Sequence, residues 1–113
     1  VFACQDACRP FPSMRVPDES DVDGFRFSRL GTPAALVSEG ARMEHCVGSY
    51  ATLAMSGGCV ICSVCGAGWR GTLELLPTAD GMRLGQLRGK LNAEAPEAAW
   101  SAARRFALSI PCQ

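Results

Sequence analysis

The segment with the most chemical potential is residues 43–50, which read Met-Glu-His-Cys-Val-Gly-Ser-Tyr. It holds the single histidine and the single tyrosine of the 113-residue chain, and Cys46 follows His45 directly. A cysteine activated by an imidazole is a nucleophile, so His45 and Cys46 are candidate catalytic residues. The alternative is structural: Cys46 packs in the core and His45 makes a local hydrogen bond, since neighbours on a helix point about 100° apart.

A helix is predicted to position this segment. Its apolar residues recur at near-helical spacing, at Met43, Val47, Ala51 and Ala54, and Ser56-Gly57-Gly58 would end it near residue 55. On such a helix Ser49 lies four residues after His45, and therefore on the same face. Tyr50 lies four residues after Cys46, and a cysteine near a helix N-terminus can have a lowered thiol pKa.

A second polar group lies on a predicted strand at residues 82–90. With strict alternation, Leu84, Gln86, Arg88 and Lys90 share one face and Gly85, Leu87 and Gly89 share the other. Asn92 follows just beyond. The polar row is either a solvated outer face or a binding face for an anion, a peptide or a nucleic acid. The candidate binding residues are therefore Ser49, Tyr50, Gln86, Arg88, Lys90 and Asn92.

The seven cysteines do not form an obvious metal site. Cys59-x-x-Cys62-x-x-Cys65 lies in a β-forming run, where Cys62 would face away from the other two. Cys4 and Cys8 in the N-terminal segment are weak zinc candidates. We expect no cofactor, free thiols and a cytoplasmic location, because an odd number of cysteines cannot all pair. A deaminase site is excluded, since it needs His-x-Glu followed by Pro-Cys-x-x-Cys.

Three β-forming runs follow the histidine segment, at residues 59–65, 72–76 and 82–90. The links between them are short, which favours an antiparallel meander. A first helix is predicted from the Thr32 cap to Gly40, and a last helix from about residue 96. Its buried stripe would be Ala99, Ala103, Phe106, Ala107 and Ile110. The sequence thus predicts an α+β fold, a small three-stranded antiparallel meander covered by helices in the order α-α-β-β-β-α.

The N-terminal residues 1–24 are expected to be irregular, with three prolines and an acidic loop at 18–24. Residues 25–30 alternate and form either a short strand or an extended lead-in. The chain begins with Val1 rather than Met, as a fragment or processed form of a longer protein would.

Charge and hydropathy bear on two kinds of partner, nucleic acids and membranes. The formal net charge is +0, so the chain lacks the strong positive field of a typical nucleic-acid-binding domain. Residues 51–113 hold six Arg/Lys against four Asp/Glu, which is a modest basic excess. No apolar run approaches the ~18–20 residues of a membrane span, so no membrane partner is expected.

Several short blocks resemble the PcfJ-like domain. They are Leu36-Val37-Ser38-Glu39-Gly40, Met43, His45-Cys46-Val47-Gly48-Ser49-Tyr50-Ala51, Gly57, Ile61 and Ser63, followed by Thr72-Leu73-Glu74-Leu75 and Gln86-x-x-Gly89-Lys90-x-Asn92. The resemblance covers about residues 25–110, so residues 25–113 are predicted to form one PcfJ-like domain. It implies a protein of a conjugative plasmid, phage or other mobile element, whose biochemical activity is not settled.

Three functions are compatible with these observations. The first is a non-enzymatic module that binds a protein or nucleic-acid partner of a mobile element through the Gln86–Asn92 region. The second is a small thiol-dependent enzyme with Cys46 as nucleophile and His45 as base. The third is a domain in which both blocks form a buried polar network and serve only the fold. The first two require the histidine segment and the third strand to converge on one site.

Overall fold

The structure is a computed structural model that describes residues 11, 15–44 and 54–111. A five-stranded antiparallel sheet with strand order β1-β2-β3-β4-β5 forms its centre. The elements follow the chain as β1 (Glu19–Val22), β2 (Phe25–Arg29), α1 (Pro33–Met43), β3 (Val60–Gly66), β4 (Trp69–Thr78), β5 (Gly81–Gly89), a 3₁₀ turn (Lys90–Asn92) and α2 (Glu97–Ser109). None of the described helices is long and apolar enough to cross a membrane.

The prediction of a three-stranded meander is wrong, because β1 and β2 extend the sheet. β2 pairs with β3 and β1 pairs with β2. Asp23 and Gly24 both have positive φ, of 52° and 84°, as the tight turn of a two-residue hairpin requires. The acidic run that we expected to be a solvated loop is therefore a strand. Its carboxylates remain exposed on an edge of the sheet, where Arg26 Nε lies 3.1 Å from Asp21 Oδ1.

The first helix begins as predicted but ends later. Thr32 caps it, and its Oγ1 accepts a hydrogen bond of 3.2 Å from the Ala35 N–H. The helix continues through Gly40 to Met43 and ends at Glu44, whose φ is 53°. A glycine inside a helix costs about 1 kcal/mol, whereas burying a Met side chain gains roughly 1.5–3 kcal/mol. Met43 is buried, so its burial outweighs the cost of Gly40 and the predicted helix end at Gly40 is wrong.

The three later strands are neighbours in the order predicted, but strict alternation along β5 is wrong. Leu87 lies opposite Leu73 and Leu84 lies opposite Leu75, which leaves Gly85 and Gln86 both opposite Glu74. This β-bulge turns Leu84 and Leu87 to the same side of the sheet. A Cβ on Gly85 would lie 2.2 Å from Glu74 Oε1, so the glycine makes room for that side chain.

The last helix packs as predicted on the sheet face that we call the α2 face. This face is defined by the inward side chains of Phe27, Cys62, Val64, Leu73, Leu75 and Leu87. Phe106 of α2 stacks on Phe27 with a centroid separation of 4.4 Å. Three alanines of α2, Ala99, Ala102 and Ala103, are fully buried and let the helix approach closely. The main core therefore lies between α2 and the sheet.

Helix α1 covers the opposite side, which we call the α1 face, defined by Ile61, Arg70, Thr72 and Arg88. A smaller apolar cluster lies on this side and consists of Phe11, Leu36, Ala54, Cys59 and Ile61. The other described contact between α1 and this face is polar, since Glu39 of α1 accepts hydrogen bonds from Arg70 and Thr72 of β4. The sheet is thus covered by apolar packing on one side and by a mixed surface on the other.

Candidate functional site

A buried carboxylate fixes α1 on the sheet. Glu39 is only 3% exposed, and its Oε1 lies 2.7 Å from Arg70 Nη2. Thr72 Oγ1 donates a second hydrogen bond, 2.5 Å long, to Glu39 Oε2. A buried carboxylate is tolerated only when it is paired and hydrogen-bonded, and both conditions are met here. This cluster sets where α1 lies over β4.

The C-terminal end of α1 lies beside the end of β5. Lys90 Nζ lies 3.1 Å from Glu44 Oε2, and both side chains are more than half exposed. Glu44 is the residue directly before His45 in the sequence. An exposed ion pair of this kind contributes little stability, roughly 0–1 kcal/mol. The ion pair does place Glu44, at the end of α1, beside the turn that follows β5.

The 3₁₀ turn carries backbone strain at two consecutive residues. Leu91 and Asn92 have φ of 57° and 60°. Asn tolerates the left-handed region, whereas for Leu it costs roughly 1–2 kcal/mol. The turn is closed by hydrogen bonds from the Ala93 N–H to the Lys90 carbonyl and from the Gly89 N–H to the Ala93 carbonyl. The strain leaves Leu91 projecting into solvent, 68% exposed. Such outliers are enriched at binding sites.

Arg88 and Gln86 complete the polar surface on β5. Arg88 is half-buried opposite Thr72, and its Nη1 lies 4.0 Å from Glu94 Oε1. Gln86 is exposed in the bulge. We call the four residues Gln86, Arg88, Lys90 and Asn92, with Leu91 and Glu44, the β5–turn surface. Its two cations each lie near one exposed carboxylate, so it is mixed in charge rather than strongly basic.

Four of the six predicted binding residues can be placed. Gln86, Arg88, Lys90 and Asn92 follow one another along the end of β5 and the turn. His45, Cys46, Ser49 and Tyr50 lie outside the described residues, as do the helix predicted over most of residues 43–55 and the candidates Cys4 and Cys8. The thiol-enzyme hypothesis, which rests on His45 and Cys46, therefore stays a prediction. The adjacency of Glu44 and Lys90 is the closest described contact between the two predicted blocks.

Three residues of this region were missed by sequence reasoning: Glu39, Arg70 and Thr72. Glu39 had a detectable signal, because it lies one turn from Leu36 and four residues before Met43, within the buried stripe of α1. A carboxylate in such a stripe needs a cation or a donor nearby. Its partner Arg70 lies 31 residues away in the sequence, and no local pattern identifies a pair of that separation.

The described cysteines are free thiols, and two of them are poorly suited to react. Burial raises the pKa of the Cys62 thiol to about 12 and that of Cys59 to about 11. Glu74 adds to the effect on Cys59 by its negative charge. Cys65 is exposed. Cys62 lies with the α2-face core and Cys59 in the cluster under α1, as the strand interpretation predicted. Among the described residues, no group of three or more metal-ligating side chains comes together.

Comparisons of the chain with protein-family models, with curated proteins and with solved structures found no match.

Proposed function

We propose that the chain is a non-enzymatic binding module that contacts a partner macromolecule through the β5–turn surface. The observation that carries the proposal is the combination at one place of a strained, exposed Leu91 and two cations on neighbouring residues. An apolar side chain held out into solvent at an energetic cost is a typical contact residue. The flanking charges would supply orientation and on-rate more than affinity.

The charge distribution favours a protein partner over a nucleic acid. Arg88 lies near Glu94 and Lys90 near Glu44, so the charge of each cation is partly compensated by a carboxylate. The net charge of the whole chain is +0. Affinity for nucleic acid comes largely from uncompensated cations that release counterions, and this surface offers few. The resemblance to PcfJ-like domains supports a mobile-element protein as the partner, in the cytoplasm, where free thiols persist.

The test compares two double variants that remove the same number of charges. Arg88→Ala/Lys90→Ala removes the cations of the β5–turn surface. The control is Arg104→Ala/Arg105→Ala. These two arginines lie on α2, away from the β5–turn surface, and each also lies near an exposed carboxylate. Ligands are selected from a displayed peptide library and from labelled single- and double-stranded oligonucleotides, and their Kd is then measured by fluorescence anisotropy.

We expect the selected ligands to be peptides whose Kd rises about tenfold or more with the β5–turn variant and less than about threefold with the α2 variant. A steep fall of affinity with salt for oligonucleotides, lost with the same variant, would assign the surface to nucleic acid instead. Equal effects of the two variants on every selected ligand would refute the proposal.

A further inference from the structure

Strand β5 forms one edge of the sheet, and within the described ranges 15–44 and 54–111 most of its outer side has no partner strand. Among the described residues, β5 pairs along its inner side with β4, and an outer partner is present only at Arg88. Residues 81–87 therefore present backbone N–H and C=O groups to which another strand can bind. An edge of this length, about seven residues, matches an ordinary strand.

The chain itself shows what can bind at this edge. Glu94 forms an isolated antiparallel bridge with Arg88 on the side away from β4, and the Gly89 N–H donates a 2.8 Å hydrogen bond to the Ala93 carbonyl. The carboxylate of Glu94 lies 4.0 Å from Arg88 Nη1. An extended segment with an acidic residue thus already pairs with the end of β5. The Glu94 side chain is 93% exposed, so its attraction to Arg88 is weak and readily replaced.

The charge of β5 also favours a partner strand with acidic residues. The strand contains Arg83 and Arg88 and no acidic residue. Arg83 is exposed, and its charge acts on the partly buried carboxylate of Glu74 on β4. Cross-strand pairs of opposite charge stabilise a ladder, and like charges destabilise it. A partner strand with carboxylates would therefore complement this edge.

A second copy of the chain complements the edge less well. Antiparallel pairing of β5 with itself about its centre would bring Arg83 of one copy near Arg88 of the other. The other edge strand, β1, is acidic but has only four residues. Both carboxylates of β1 already share Arg26: its Nη1 lies 3.6 Å from Glu19 Oε1 and its Nε lies 3.1 Å from Asp21 Oδ1. Neither edge of a second copy offers both the length and the free negative charge.

We propose that the outer edge of β5, residues 81–87, binds an extended acidic segment of a partner protein as a sixth strand, with carboxylates paired to Arg83 and Arg88. This proposal rests on the function proposed above: it extends the β5–turn surface along the adjoining edge of β5, with Gln86 and Arg88 common to both. Main-chain hydrogen bonds supply the affinity of strand addition, and alternate side chains supply the specificity.

The probe is an alternating Thr-Glu peptide of about eight residues, compared with its Thr-Gln counterpart. Two further Thr-Glu peptides carry backbone N-methyl groups on alternate residues, one set on the Thr positions and one on the Glu positions. Because alternate N–H groups of a strand point to opposite edges, only one set blocks the edge that contacts β5. Kd is measured by fluorescence anisotropy, and the exchange of backbone amides is followed by NMR.

We expect the Thr-Glu peptide to bind about tenfold more tightly than the Thr-Gln peptide, and one N-methyl set to abolish binding while the other retains it. Amide exchange of residues 81–87 slows in the complex, and Arg83→Gln weakens binding while the control Arg104→Gln does not. Equal binding of the two N-methyl sets overturns strand addition. Concentration-dependent self-association in sedimentation, slowing the same amides without peptide, would assign the edge to a second copy and also overturn it.

These outcomes separate the inference from the proposed function. If library ligands depend on Arg88 and Lys90 but the acidic peptide fails to bind, the β5–turn surface remains a binding site and the acidic-strand proposal falls. If neither the library ligands nor the acidic peptide loses affinity with Arg88→Ala/Lys90→Ala, both proposals fall, because each assigns a contact to Arg88.

Discussion

Each face of the sheet is covered by one helix, but the two helices contact the sheet through different side chains. On the α2 face, Phe106 stacks on Phe27 and the contact is apolar throughout. On the α1 face, a buried Glu39 with Arg70 and Thr72 replaces much of that apolar contact. The polar contact ends at the strained turn and the Lys90–Glu44 ion pair. Apolar burial stabilises strongly and without direction, whereas the polar contact specifies where α1 lies. The α2 face therefore provides most of the stability, whereas the α1 face positions the β5–turn surface.

The largest effect is expected on the α2 face. Phe106→Ala removes a fully buried ring and leaves a cavity, so we expect the free energy of unfolding to fall by about 3–5 kcal/mol. Urea denaturation followed by circular dichroism measures it, with the exposed Leu108→Ala as the matched control. Leu108 is on the same helix and 86% exposed, and its loss should change little. Similar losses for the two variants would show that the α2 face is not the main core.

The next effect breaks the polar contact of the α1 face. Glu39→Ala removes the acceptor of Arg70 and Thr72, and we expect a loss of about 3 kcal/mol, because Arg70 loses its carboxylate partner and Thr72 loses this hydrogen bond. Arg70 is partly exposed and can be rehydrated, which keeps the loss at the low end for a buried pair. Unfolding by urea gives the value. Glu44→Ala, which removes only the exposed pair with Lys90, should cost less than about 1 kcal/mol. Equal losses would mean that Glu39 is no more constrained than Glu44.

A stabilising change tests the strain in the turn. Leu91→Gly should raise the free energy of unfolding by up to about 1 kcal/mol, because glycine adopts positive φ without the clash that leucine makes. Leu91 is exposed, so little packing is lost. Asn92→Gly should gain less, since Asn already tolerates this conformation. A loss of stability with Leu91→Gly would mean that its side chain packs in the folded protein and that the turn is not strained.

The smallest effect is pH-dependent and lies on the α1 face. Burial raises the pKa of Glu74 above its ordinary value of 4.5, and Arg83 only partly offsets this. The folded protein therefore holds this proton to higher pH than the unfolded chain, and ionising Glu74 costs stability. The cost is absent below pH 4.5 and is present in full above the raised pKa. Glu74→Gln should thus stabilise slightly at pH 7 and not at pH 4, as measured by urea unfolding at both values. A gain that is equal at both pH values would contradict the burial of this carboxylate.

Local patterns predicted the elements that local forces determine. The stripe Ala99, Ala103, Phe106 and Ala107 gave α2, and Thr32-Pro33 gave the start of α1. Strand β1 and its pairing with β2 were missed because the acidic residues of β1 have low strand propensity, and only the contact with Arg26 and the neighbouring strand offsets this. The bulge at Gly85 and Gln86 was missed because alternation assumes a perfect register. Of the candidate site, the polar residues of β5 were found from sequence, but the Glu39–Arg70 pair was not, since it joins distant segments.

The proposed function requires a partner to contact the end of β5 and the turn rather than the outer side of α2. The most direct measurement is the footprint of a selected ligand, read as amide shift changes and slowed exchange by NMR across the assigned chain. We expect a continuous footprint that runs along β5 from Gly81 to Asn92 in the turn and reaches Glu44 at the end of α1. A footprint centred on the exposed residues Arg104, Arg105 and Leu108 of α2, with Lys90 and Leu91 unchanged, would contradict it.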